Sequence, residues 1–433
     1  MKTKLFIFPV ILLFYANSAF AYLDPGSGSM LVYFLIGIFA TAIYSIKNQY
    51  LKIKIGLIRL FSKNKVKLNH KKNIVFYSEG GHYWSSFQGV IKEICKMGYE
   101  CSYYTSDKND EGLLYKNKFY DSQFIGDDRL SVMALNYLNA KIVIMTTPQL
   151  DVMYLKRSDN VQYYIHLIHA PTDVFNYHPF AFDFFDCVMC SGPHQIKHLR
   201  QIEQARNMPE KKLLKTGLVY YDELSKEKNK ISKKTNQKTT ILIAPTWGDI
   251  GLLNKTGFLP IKILLENDYN VILRSHPQSY INDKTLMEEI EKKAKNHINL
   301  KIDKTPSAKE SMSKADIMIS DVSGIIFDFA FVYEKPVIAF AGILETCKLA
   351  ELNLVNSNNK NTAKIWELEI MDKIADIVDI KDIQNLPSLI KKSLKKDYKQ
   401  SIKRLRGESI FNYRKAGKVA ALQIIDIYKN IHA

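Results

Sequence analysis

Cysteine is scarce in this chain of 433 residues: there are five, Cys95, Cys101, Cys187, Cys190 and Cys347. An odd count at irregular spacing excludes a disulfide framework. Cys187-Val188-Met189-Cys190 has CxxC spacing, but it lies in an apolar, strand-like run with no second pair. Its thiols read as buried and structural, which fits a reducing compartment. Zinc-finger spacing is missing, and so is the aromatic signature of RNA-binding sheets, so no nucleic-acid partner is expected. No carboxylate cluster demands a metal, and no cofactor or metal is expected. Internal repeats are absent, and the only compositional bias is toward Lys and Asn. Acidic residues are too few to balance the basic ones: 44 against 61 gives a net charge of +17.

What is there begins with that charge. It implies anionic partners, either phosphate-rich substrates or an acidic membrane surface. Lys2 and Lys4 precede the apolar run Leu5–Tyr15, and Ala19-Phe20-Ala21 offers a small-residue cleavage pattern. Residues 1–21 therefore read as a signal peptide or a first membrane segment. A second uncharged run, Met30–Ile46, is at the short end for a transmembrane helix. Nine Lys and Arg residues follow between Lys47 and Lys72. By the positive-inside rule this basic segment, 47–72, is cytoplasmic. The expected location is the cell membrane, with the large C-terminal part on the cytoplasmic side.

From Asn73 onward, short apolar runs alternate with helical patterns. NIVFYS, the strands starting near Glu100, Lys141, Val161 and Asp186, and the helix that follows the Glu79–His82 loop describe a mostly parallel, doubly wound sheet over 73–224. The stretch 225–238, SKEKNKISKKTNQK, lacks large apolar residues and reads as a linker. A second series, TILIAP, YNVILRS, INLKI, ADIMIS and PVIAF, occupies 239–385. The predicted class is α/β: two Rossmann-like domains facing a cleft, a GT-B-like architecture, with a helical basic tail at 386–433. Within that tail Ser388–Arg406 reads as an amphipathic basic helix, touching lipid or packing on the N-terminal domain.

Open α/β sheets bind ligands at the C-terminal ends of their strands. Five polar groups sit at such ends. Gly80, Gly81 and His82 follow the first strand, and His166 and His169 end a later one. These are the candidate acceptor-side residues. A neutral imidazole at His169, just before Pro171, is placed to remove a proton from a hydroxyl. In the second half, Thr246 and Trp247 follow one strand and Arg274 and His276 the next, candidate donor-side residues among which Arg274 is expected to aim its forked donor at phosphate. Last comes the loop Asp321-Val322-Ser323-Gly324, opening a helix in a βαβ unit. Backbone N–H groups and the helix dipole favour phosphate there.

PTW after a strand, RSHP after the next, then SDVSGIIFD and a KPVI strand, in that order, resemble the CDP-glycerol:poly(glycerophosphate) glycerophosphotransferase family of teichoic-acid and capsule primases and polymerases. The resemblance covers roughly Tyr163 to Phe340. It implies transfer of glycerophosphate, or another polyol phosphate, from a CDP-activated donor to a hydroxyl, with no cofactor beyond that substrate. It implies His169 as base, His276 as the second important histidine, and Ser323 at the donor phosphates. Gly217 and Asp222 in TGLVYYD resemble a segment between the domains. Ala170, Gly248, Val322 and Gly324 depart from the family's usual residues, and Pro-Arg is missing from GLVYYD. The expectation is a membrane-anchored transferase in cell-surface polymer synthesis. Its expected partners are a CDP-polyol, a hydroxyl acceptor such as a lipid-linked saccharide, and the membrane. The rivals are a nucleotide-sugar glycosyltransferase or epimerase, and a non-catalytic binding subunit of a polysaccharide assembly.

Overall fold

The computed structural model describes residues 71–228, 238–305, 307–321, 323–340, 349–358 and 363–431. The chain divides into two compact units, Met1–Lys67 and Leu68–Ala433, and all described residues lie in the second. The expected membrane segments at 1–21 and 30–46, nearly all of the basic segment 47–72, Val322 and Cys347 lie outside the described residues. Among the described residues no helix is long and apolar enough to cross a membrane.

Two parallel sheets carry the fold. The first contains β1 (Lys72–Ser78), β2 (Cys101–Thr105), β3 (Tyr120–Phe124), β4 (Ala140–Met145), β5 (Val161–Leu167), β6 (Cys187–Cys190) and β7 (Lys212–Lys215), in the order β3-β2-β1-β4-β5-β6-β7. The second contains β8 (Thr240–Ile243), β9 (Asn270–Leu273), β10 (Leu300–Ile302), β11 (Ile317–Ser320), β12 (Val337–Phe340) and β13 (Asp376–Val378), in the order β10-β9-β8-β11-β12-β13. Each sheet starts in the middle, runs outward to one edge, and returns to fill the other. The chain direction therefore reverses between β1 and β4, and again between β8 and β11, which opens a crevice at the strand C-termini. The central strands read IVFY, IVIM, ILI and IMIS because helices cover both faces. Their residues are almost wholly buried.

The helices that matter for the site are α1 (Trp84–Lys96), α2 (Pro193–Ala205), α3 (Val219–Lys228), α4 (Ile325–Asp328, continued by a π-helical turn Phe329–Tyr333), α5 (Trp366–Ile374) and α6 (Ala416–Asn430). Helix α3 covers the start of the expected linker, while 229–237 lie outside the described residues. Gly217 before it has φ +96°, and a Cβ there would stand 2.2 Å from the Phe411 carbonyl oxygen. Only glycine meets both constraints. Asp222 then accepts the Gly417 N–H at 2.8 Å and the Ala416 N–H at 3.3 Å, capping α6.

The tail does not form one free amphipathic helix. Leu386–Lys395 and Lys399–Ser409 are separate helices, broken at Lys396–Tyr398. Ile390 joins the second sheet's core, and Ile402 packs beside α4 and α5. Arg406 donates to the Phe331 carbonyl and pairs with Glu334 at 2.9 Å. The apolar face that the sequence offered to lipid or to the first domain is thus taken by the second domain. Helix α6 instead returns to the first sheet, packing Ala420, Ala421 and Ile424 against α1. Gly417 meets Gly89 backbone to backbone.

Candidate functional site

Loops from both sheets meet at the strand C-termini. In the second sheet, Asp321 follows β11 and is almost fully buried. Its Oδ1 accepts the Thr246 N–H and its Oδ2 the Leu252 N–H, both at 2.8 Å. Burial pushes its carboxyl up, and these two backbone donors oppose the rise. Asp321 is therefore occupied in holding the loop after β8, with both oxygens engaged away from the phosphate role read for it. Ser323 and Gly324 open α4 and face the first domain: a Cβ on Gly324 would lie 3.6 Å from Thr172 Cγ2. Together with Thr172, Asn176, Phe327, Glu367 and Met371 they line a cavity of about 130 Å³.

Thr246 and Trp247 sit on the loop that Asp321 braces. Asp283 braces it further by accepting the Gly248 N–H at 3.1 Å, and Gly248 has φ +77°. The Trp247 indole is exposed and lies 6.3 Å, centroid to centroid, from the His276 ring. His276 is exposed too, and partial desolvation lowers its pKa. Its Nδ1 accepts the Gln278 N–H at 3.2 Å. In the neutral ring this fixes the proton on Nε2, which becomes a donor. Arg274 differs from the expectation of a donor aimed at phosphate. Its Nη1 donates to Asp303 Oδ2 at 2.8 Å. Burial would raise the Asp303 carboxyl, but bonds from Ser311, Thr305 and Arg274 hold it at about 2. A buried carboxylate thus neutralises the guanidinium, and Arg274 serves first to shape the loop after β9.

In the first sheet, Gly81 N–H donates to Asp107 Oδ2 at 3.1 Å, and a Cβ at Gly81 would press on Asp107 and Asp110. Gly80 is extended, with φ −171°, and its carbonyl accepts the Ser78 hydroxyl at 2.7 Å. These bonds serve the turn into α1. The structure brings His82, Tyr83 and His169 together: Tyr83 stacks edge-on with His169 at 4.8 Å and lies 4.0 Å from the His82 ring. Tyr83 was not singled out from the sequence, because a tyrosine opening a helix carries no signal of its own. His169 is largely buried, and its Nδ1 has no hydrogen-bond partner. Burial, then the nearby His82, lower its pKa to about 4. His82 is exposed, and desolvation outweighs three nearby carboxylates to lower its pKa. His166 is not in the crevice. It is fully buried, ringed edge-on by Tyr177, Phe182 and Phe185, and burial pushes its pKa down to about 3. Lying on the face of β5 that packs into the core, it is removed from the acceptor side.

The loop just after His169 crosses to the second domain through residues that carried no motif. Asp173 Oδ2 accepts the Trp366 N–H at 2.9 Å, capping α5 from the other side of the crevice. Glu367 Oε1 returns the bond, accepting the Asp173 N–H at 2.9 Å and the Asn176 side-chain amide. His194 stacks on Trp366 at 4.1 Å, nearly parallel, and bonds the Pro171 carbonyl oxygen. Burial brings the His194 pKa to about 4. Among the described residues no group of three or more His, Cys, Asp or Glu is arranged to hold a metal ion.

Residues 181–367 match the family model of CDP-Glycerol:Poly(glycerophosphate) glycerophosphotransferase. Over that stretch the chain is similar to the glycerophosphotransferases. The matched region holds Thr246, Trp247, Arg274, His276, Asp321, Ser323 and Gly324, whereas His169 and the Gly80–His82 turn lie before it. Comparison with curated proteins finds no match. Among solved structures, a histidine-to-alanine variant of the wall teichoic acid polymerase TagF aligns with TM-score 0.56 at 18% identity, over 91% of this chain and 99% of that one. A histidine-to-asparagine TagF variant soaked with CDPG gives 0.53 at 18% identity, over 92% and 98%. UDP-GlcNAc 2-epimerase from Neisseria meningitidis, bound to UDP-GlcNAc, gives 0.50 at 14% identity, over 83% and 100%. At such identities these likenesses show the shared GT-B-like fold.

Proposed function

We propose that this glycerophosphotransferase-like enzyme moves glycerophosphate, or a related polyol phosphate, from a CDP-activated donor to a hydroxyl in the synthesis of a teichoic-acid-like surface polymer. One observation carries the reading. The family-matched second domain presents Ser323, Gly324, Trp247 and the Nε2 donor of His276 at the strand ends where β8 and β11 part. A neutral, largely buried histidine ends a strand of the first domain.

In this mechanism the acceptor oxygen attacks the β-phosphorus of the donor while His169 takes the hydroxyl proton. The new P–O bond forms as the bond from that phosphorus to the bridging oxygen breaks, and CMP leaves with the bridging oxygen. Burial keeps His169 in its base form at neutral pH. The negative charge of the arriving phosphates favours the imidazolium as it forms. Charge on the transferring and leaving phosphates meets the α4 helix start and His276. Trp247 offers an exposed indole face to the base or ribose. The apolar runs Leu5–Tyr15 and Met30–Ile46 support membrane anchoring with this unit on the cytoplasmic side.

The test is product analysis. The purified protein, given CDP-glycerol, other CDP-polyols and UDP-sugars with a hydroxyl acceptor, should release CMP from a CDP-polyol alone. Turnover of a UDP-sugar, or no turnover of any donor, would overturn the reading.

A further inference from the structure

Glu367 stands out among the residues lining the cavity. It sits in the first turn of α5, is 4% exposed, and faces a loop of the opposite domain. Its Oε1 is fully engaged by Asp173 N–H and the Asn176 amide. Its Oε2 is buried and has no hydrogen-bond partner. A buried carboxyl oxygen without a donor is costly, and such a group in a ligand crevice calls for one. Burial, then the charge of Asp173, push the Glu367 pKa up to about 7. A hydrogen bond donated to Oε2 would lower it again.

The surroundings narrow the choice of donor. The same cavity holds Ser323 and Gly324 at the α4 start, where the proposed mechanism sets the phosphates, so its occupant is the group attached to a phosphate. Phosphate oxygens cannot donate to a carboxylate; hydroxyls can. A volume of about 130 Å³ has room for a three-carbon polyol chain. Phe327 and Met371 supply apolar wall for a carbon chain, and Thr172 and Asn176 supply further polar lining.

Building on the proposed transferase reading, we propose that Glu367 is a specificity-determining residue: its Oε2 accepts a hydrogen bond from a free hydroxyl of the polyol phosphate held at the Ser323–Gly324 helix start. Asp173 and Asn176 are the positioning residues that aim it. Because Asp173 lies four residues after His169, the same loop that carries the base orients the carboxyl that reads the transferred group.

The test compares kcat/KM for CDP-glycerol and for the CDP ester of propanol, which lacks both free hydroxyls, with CMP binding as a control. The wild-type protein should prefer CDP-glycerol tenfold or more. Glu367→Gln keeps an oxygen for Asp173 and Asn176 but places an amide donor where Oε2 was, so the preference should collapse to within about twofold while CMP binding is unchanged. Glu367→Asp, which withdraws the oxygen by one methylene, should fall between and serves if the glutamine variant does not fold. An unchanged preference in the variants, or none in the wild type, overturns the assignment and leaves the transferase reading standing. CMP binding that weakens in step with the variants also overturns it, by moving the hydroxyl to the ribose. Failure of the wild type to use any CDP donor overturns the transferase reading, and this inference with it.

Discussion

The two sides of the crevice use opposite materials. The first domain offers rings: His82, Tyr83 and His169 pack against one another, and the key imidazole is buried and neutral. The second domain, besides the Trp247 and His276 rings, offers backbone and hydroxyl donors on loops pinned from beneath by carboxylates. Asp321 holds the loop after β8, Asp283 holds it at Gly248, and Asp303 holds Arg274. One side is suited to lifting a proton from a neutral acceptor, the other to receiving an anion. A proton acceptor gains from desolvation, which keeps it neutral, whereas an anion site gains from fixed dipoles that need no reorganisation.

Removing the base should break this contrast most severely. His169→Ala is expected to lower the transfer rate about a hundredfold or more, while a CDP-glycerol binding isotherm stays near wild type. His276→Ala and Ser323→Ala should lower the rate and weaken donor binding as well, because the proposed mechanism sets them against the phosphates. Near-normal turnover in His169→Ala would pass the role of base to His82, its neighbour across Tyr83.

The pH profile sharpens the same contrast. With the His169 pKa lowered to about 4, the acidic limb of kcat/KM should fall as pH drops through about 4 rather than through about 6.5. A limb centred near 6.5 would assign the proton to an exposed histidine. Stability follows the same sign. His166 and His194 have folded pKa values of about 3 and about 4, below the unfolded value, so the unfolded chain takes up protons first. Their contribution is fully present above about pH 6.5 and is lost as pH falls toward 4, by roughly 2–4 kcal/mol for each histidine. Urea midpoints that do not move across that interval would contradict it.

Much of this was legible in the sequence, for identifiable reasons. Buried parallel strands read as unbroken apolar runs, so β1, β4, β8, β11 and β12 announced themselves. The strands YDSQF, KLLK and DIV of β3, β7 and β13 lie at sheet edges, where one side meets solvent and apolar residues thin out. They carried no comparable signal. The loops at the strand ends were found by position alone, but position does not reveal where a side chain turns. Asp321 and Arg274 belonged to the right loops, yet one faces backbone N–H groups and the other a buried carboxylate. Its place at the strand end favours His169 over His166, three residues earlier, but only the packing of β5 shows that His166 turns into the aromatic core. Glu367 stayed hidden because its partners, Asp173 and Asn176, are about 190 residues away in sequence.

The carboxylate braces predict a loss of stability rather than of chemistry alone. Asp321→Ala leaves the Thr246 and Leu252 N–H groups without their acceptor. At about 1–3 kcal/mol for each buried unsatisfied donor, the unfolding free energy should drop by roughly 2–6 kcal/mol, with donor binding impaired because the Trp247 loop loosens. His169→Ala should leave stability much closer to wild type. If denaturant titration finds Asp321→Ala as stable as wild type, the pinned-loop description of the second domain fails.

The smallest effect is expected at Trp247, and it separates two accounts of that side chain. As cover for the core, its loss would cost stability. As an exposed platform, 41% accessible on a loop held from below by Asp321 and Asp283, its loss should cost ligand affinity alone. Aromatic–base stacking contributes about 1–3 kcal/mol per base. Placing the stacking at the low end of that range gives Trp247→Ala a roughly fivefold to tenfold weaker CMP affinity, with stability within about 0.5 kcal/mol of wild type, the range of ordinary surface substitutions. His276, whose ring lies 6.3 Å away, should tolerate the change, so the pH dependence of binding should keep its shape. A Trp247→Ala protein that loses stability but binds CMP normally would move this indole from the ligand side of the crevice to the packing of the second domain.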